Sequence, residues 1–94
     1  MDAIRRLAIT VDGPASLQPL TRSLKVTITA NGSTRSDTFP IAGLPATVDL
    51  PAPIQLSTWA TVVDGFDVNG QLIGRGMMNI AAGTTEASMT LAPI

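Results

Sequence analysis

Ninety-four residues make a chain of one domain. Six basic and seven acidic residues leave a net charge of −1 and no basic stripe, which argues against a nucleic-acid partner. The absence of cysteine and histidine removes disulfides, thiol nucleophiles and cysteine metal sites.

Seven β-favouring runs follow one another, separated by Gly, Pro and Asn turn signals. In the first, Ile4 to Val11, Leu7, Ile9 and Val11 alternate with Arg6, Ala8 and Thr10, so one face is buried. Pro14, Pro19 and Gly13 then break the chain. The second run, Arg22 to Ala30, alternates most cleanly: Leu24, Val26 and Ile28 face one way, Lys25, Thr27 and Thr29 the other. Asn31-Gly32 predicts a type I′ hairpin turn. Ser33 completes a formal glycosylation sequon there, but the turn is the preferred reading.

The third run, Ser33 to Ile41, is polar apart from Phe39, Pro40 and Ile41, and Pro40 cannot donate to a ladder. That predicts an edge strand. A short fourth run, Thr47 to Leu50, is expected to end at "PAPI". The fifth runs from Gln55 to Phe66, the sixth from Gln71 to Ala81 and the seventh from Glu86 to Leu91. Recurrent Pro and Gly and abundant Thr exclude helices.

The stretch between Asp64 and Gly70 contains Asp64, Asp67 and Asn69, which raises the question of a calcium loop. With Gly70 at position six of an EF-hand frame, position one is Gly65 and position twelve is Gly76, so both charged ends are lost. A hairpin explains the residues better. Asn69-Gly70 supplies the positive φ of a tight turn, and Asp67 accepts bonds from backbone N–H groups just downstream.

Catalytic groups are scarce. Lys25 is the one lysine and faces solvent in mid-strand, and Asp64 and Asp67 fall on opposite strand faces. No enzyme activity is expected, and no cofactor. Trp59 shares parity with Thr61, Val63 and Gly65, and with 3% aromatic residues the core needs its bulk. It is assigned to the core, with a sugar-stacking platform as the alternative. Met77 and Met78 cannot both face inward, so one fills the core and the other is half-exposed.

Residues 59–70, "WATVVDGFDVNG", resemble the penultimate hairpin of immunoglobulin-like or prealbumin-like (fibronectin type III-like) modules of bacterial envelope and secreted proteins. The upstream "FPIAGLPATVDLP" and the downstream "GRGMMNIAAGTTEASMTLAP" extend the likeness over the last 55 or so residues. The resemblance implies an all-β fold: a seven-stranded antiparallel β-sandwich with Greek-key, immunoglobulin-like connections. It brings no catalytic or binding residues with it.

If consecutive strands alternate in direction, loops 12–21, 42–45 and 67–70 share one end. Asp12, Asp67 and Asn69 make that end the candidate ligand site, a calcium position of at most three side chains. The charged content, 14%, leaves the surface to Thr, Ser, Asn and Gln, as on secreted bacterial β-modules. The start of the chain has no apolar run of signal-peptide length. The final "TLAPI" reads like the edge of a module running into a linker.

The expectation is therefore one domain over residues 1–94, excised from a longer exported chain. Its expected role is that of a non-catalytic structural, spacer or adhesion module, extracellular or in the cell envelope. The alternative is a ligand-binding module for carbohydrate or weak calcium at the 12–21, 42–45 and 67–70 loop end. Expected partners are neighbouring domains of the same chain, with protein or carbohydrate beyond them. Neither nucleic-acid binding nor membrane insertion is expected, and the domain should be monomeric.

Overall fold

Alternating β-branched and polar residues, broken by Gly and Pro, fold into strands because such side chains fit a pleated surface better than a helix. The computed structural model describes residues 4–30, 32–53, 59–81 and 86–94, and the side chains of all these except 4–7, 30, 33, 50–53 and 59. Among them there are eight strands and no helix. The strands are β1 (Ile4–Asp12), β2 (Ser23–Ala30), β3 (Ser33–Pro40), β4 (Ala46–Pro53), β5 (Trp59–Phe66), β6 (Leu72–Ile80), β7 (Glu86–Thr90) and β8 (Ala92–Pro93).

Two sheets form, one of order β4-β1-β7 and one of order β3-β2-β5-β6-β8. Their facing sides share one core. Ile9, Val11 and Val48 come from the smaller sheet, Leu24, Val26, Val63 and Ile80 from the larger, and Leu17, Leu44 and Leu91 close it from connecting segments. Leu24, Val26 and Ile28 face this core while Lys25 is exposed, as the alternation of the second run requires.

Three features correct the expected seven-stranded antiparallel arrangement. First, β7 pairs with β1 in parallel, from Ala8 opposite Glu86 to Asp12 opposite Thr90. The other five strand pairs are antiparallel. Second, the chain continues past β7. Leu91 is buried, and Ala92 and Pro93 pair with Arg75 and Gly74 of β6 as an eighth strand in the other sheet. Ala92 and Pro93 of the final "TLAPI" stretch thus belong to a sheet.

Third, β4 does not stop at Leu50 but runs through both prolines to Pro53. Pro51 and Pro53 share parity, so both missing N–H groups fall on one side of the strand. On an edge strand that side can be the unpaired one, and prolines are tolerated there. The expectation for β3 agrees with its place at an edge of the larger sheet.

Asn31 and residues 54–58 lie outside the described residues, as does the Trp59 side chain with its core assignment. The positions that share its parity, Thr61, Val63 and Gly65, are buried. Gly32 has a φ of 78°, and Ala30 pairs with Ser33 across that turn.

Candidate functional site

β1 to β7 alternate in direction, so β1, β3 and β5 end where β2, β4 and β6 begin, and three loops gather at that end. The first, residues 13–22, winds through two successive turns. The Pro14 carbonyl accepts the N–H groups of Leu17 and Gln18 at 2.8 and 3.2 Å. The Leu17 carbonyl then accepts those of Leu20 and Thr21 and the Thr21 hydroxyl, the last at 2.8 Å. This coiling turns Leu17 and Thr21 inward and leaves Leu20 55% exposed.

Backbone bonds stitch the loops together. The Leu44 N–H donates to the Gln18 carbonyl at 2.9 Å, the Ile41 N–H to the Arg22 carbonyl at 3.0 Å, and the Arg22 N–H to the Phe66 carbonyl at 2.7 Å. Gly43 adopts a φ of 119° beside the Gln18 carbonyl, where a Cβ would come within 2.8 Å of that oxygen. Only glycine tolerates both conditions.

The third loop, residues 67–71, is a tight hairpin turn. The Gly70 N–H donates to the Asp67 carbonyl and the Asp67 N–H to the Gln71 carbonyl, both at 3.0 Å. With Gly70 at a φ of 78°, this is a three-residue hairpin loop of the type that places glycine in the left-handed region. Asp67 Oδ1 accepts the N–H groups of Asn69 and Gln71, each at 2.9 Å. The carboxylate therefore builds the turn, and Asn69 projects into solvent.

Asp12 is engaged in the same local way. Its Oδ1 accepts the Gly13 N–H at 2.8 Å and the Gln18 Nε2 at 3.3 Å, and Gln18 Nε2 also reaches the Gly13 carbonyl. The Gln18 bridge ties Asp12 to the first loop, whereas Asp67 is bonded within its own hairpin. Among the described residues, no group of three or more His, Cys, Asp or Glu is placed to hold a metal ion.

Asp64 belongs elsewhere. On the outer face of the larger sheet it accepts a 2.6 Å bond from Arg75 Nε, its register partner on β6, and lies opposite Lys25 on β2. Its contacts and those of Asp67 are separate. On that face Met77 is 73% exposed, while its neighbour Met78 turns inward and packs against the core.

Sequence reasoning missed a concave feature at the loop end. Pro19, Leu20, Arg22, Asp67, Val68 and Asn69 line an open depression of about 460 Å³. Its rim exposes Leu20 and Val68, the latter 81% accessible. Val68 carried a readable signal, since an apolar residue inside a polar turn has no core to face. Leu20 carried none, because its orientation depends on the coiling of residues 14–21.

No protein-family model matches the chain, and no curated protein matches it. Among solved structures, it is similar to a leucine-rich repeat protein from Bacteroides thetaiotaomicron VPI-5482, with a TM-score of 0.56 and 14% identity. The likeness covers 94% of this chain and 12% of that one, and at this identity it concerns the fold alone. It overturns the resemblance to immunoglobulin-like, prealbumin-like or fibronectin type III-like modules read from residues 59–70, which neither comparison supports. The residues behind that resemblance meet local demands: Thr61, Val63 and Gly65 face inward, Asp67 caps a turn, and Gly70 supplies its positive φ. Any sandwich hairpin needs such residues, so they do not distinguish a family.

Proposed function

We propose that this domain is a non-catalytic spacer or adhesion module of an exported multidomain protein, set end to end between neighbours. The observation that carries this reading is the path of the chain through an elongated body. The principal extents are 42 × 21 × 19 Å. β1 starts at one end, where Ile4 lies opposite Pro53. β8 leaves at the other, where the Ile94 N–H bonds to the Ile73 carbonyl beside the Asp67–Gln71 hairpin. A chain that enters and leaves at opposite poles adds the length of the domain to the distance between its neighbours.

Two copies joined head to tail test it by small-angle scattering. A spacer gives a maximum dimension near twice the 42 Å of one copy. A side-by-side particle, with a maximum dimension near that of one copy, argues against it.

The depression between Leu20 and Val68 favours a second reading, a ligand-binding module for carbohydrate. Glycan-array binding that Arg22→Ala and Val68→Asp both abolish would support it over the spacer.

A further inference from the structure

We propose that the parallel β1–β7 ladder is a mechanical clamp that makes the domain resist tension applied between its two ends. The inference follows from the topology and gives the end-to-end reading a mechanical purpose, but its test is independent of that reading. β1 is anchored on both sides, by β4 along Ile4–Val11 and by β7 along Ala8–Asp12. Tension on the start of the chain draws β1 toward the Ile4 pole. Tension on its finish draws β7, through Leu91 and β8, toward the opposite pole. The two strands are parallel neighbours pulled in opposite directions along their own axes.

Parallel-ladder bonds are evenly spaced and slanted along the strands. Under this load they are strained together in shear, and rupture requires several to fail at once. An end-on pull that peels the same strands apart breaks them one after another. The attachment at the finish reinforces the clamp. The Leu91 N–H donates to the Asp12 carbonyl at 2.8 Å, Leu91 is buried in the core, and Ala92 and Pro93 are held by β6. Force therefore reaches β7 through a locked residue instead of a loose tail.

The Leu91 bond also fixes which donors carry load. Alternate residues of a strand point their N–H groups to the same side, so those of Met89 and Ala87 face β1 with that of Leu91. Those of Ser88 and Thr90 face the open edge of β7.

Single-molecule pulling in two geometries on the same fold is the test. In the first, handles are attached to the two chain ends. In the second, one handle stays at the start of the chain and the other is attached at Glu86→Cys, an exposed position at the beginning of β7 in a protein that has no cysteine of its own. The second geometry unzips β7 from β1. At matched loading rate the end-to-end geometry should require about twice the unfolding force or more, since forced unfolding reports the barrier and not the equilibrium stability. Equal or lower force end to end overturns the clamp. Ala87→Pro, which removes a donor facing β1, should lower the end-to-end force below that of Ser88→Pro, whose missing donor faces the open edge. The reverse order also overturns it, and if Ala87→Pro does not fold, the comparison of geometries decides. A domain that resists end-to-end force while its tandem scatters as a side-by-side particle would retain the clamp and lose the spacer reading.

Discussion

Leu91 lies against Gly65 so closely that a Cβ added at residue 65 would come within 2.8 Å of Leu91 Cδ1. Gly74, the register partner of Gly65, meets Leu17 Cδ1 in the same way at 2.9 Å. The two glycines flatten the inner surface of β5 and β6 where the chain crosses from one sheet to the other. Gly65→Ala should therefore destabilise by about 1–3 kcal/mol through overpacking. Leu91→Ala should cost about 2–5 kcal/mol through the cavity it leaves. The double variant should lose less than the sum, because shortening Leu91 removes the clash. Urea titrations of the four proteins measure the coupling, and strict additivity would contradict the contact.

Asp67 holds its hairpin through two bonds from one oxygen, to the Asn69 and Gln71 N–H groups. Asp67→Ala should cost about 1–2 kcal/mol, since each net bond contributes around 1 kcal/mol. Asp67→Asn keeps an oxygen acceptor and should cost less. Amide exchange at Asn69 and Gln71 should accelerate in the alanine variant. Unchanged exchange would show that the side chain does not support the turn.

Gly43 and Gly70 both have positive φ, but their surroundings differ. A Cβ at Gly43 would lie 2.8 Å from the Gln18 carbonyl oxygen, whereas one at Gly70 meets nothing within 4 Å. Gly70→Ala should cost only the backbone strain, about 1–2 kcal/mol. Gly43→Ala adds a backbone clash that no rotamer can relieve, and should be the more damaging. Thermal melts of the two variants rank them, and equal losses would contradict the close approach.

β3 is an edge strand whose inner positions opposite Val26 and Ile28 are Asp37 and Arg35, joined by a 3.1 Å ion pair. Inward charges on an edge discourage another strand from pairing there. The wild-type domain should sediment as a monomer at micromolar concentration. The double substitution Arg35→Val with Asp37→Val should associate. A monomeric double variant would place the protection elsewhere on the edge.

What could be read from the sequence was local. Leu24, Val26 and Ile28 announced the inner face of β2 because strand side chains alternate with a period of two, whatever the strand pairs with. Pro40 announced an edge, and Asp67 with Gly70 a turn, because those choices depend on a few bonded neighbours. The same locality misled the family reading, since a hairpin pattern satisfies the hairpin in many folds. The tertiary structure decided whatever rests on partners distant in the chain. Pro51 and Pro53 remain in β4 because that strand has a free edge. β7 runs parallel to β1, and Leu91 carries the chain into the second sheet, because the core between the sheets must be closed from both. At the loop end, Asp12 meets Gln18 and Leu20 approaches Val68 through the coiling of residues 14–21. Periodicity specifies which side of a strand is wet, but strand order and loop packing depend on contacts that close long stretches of chain, and no short window of residues encodes them.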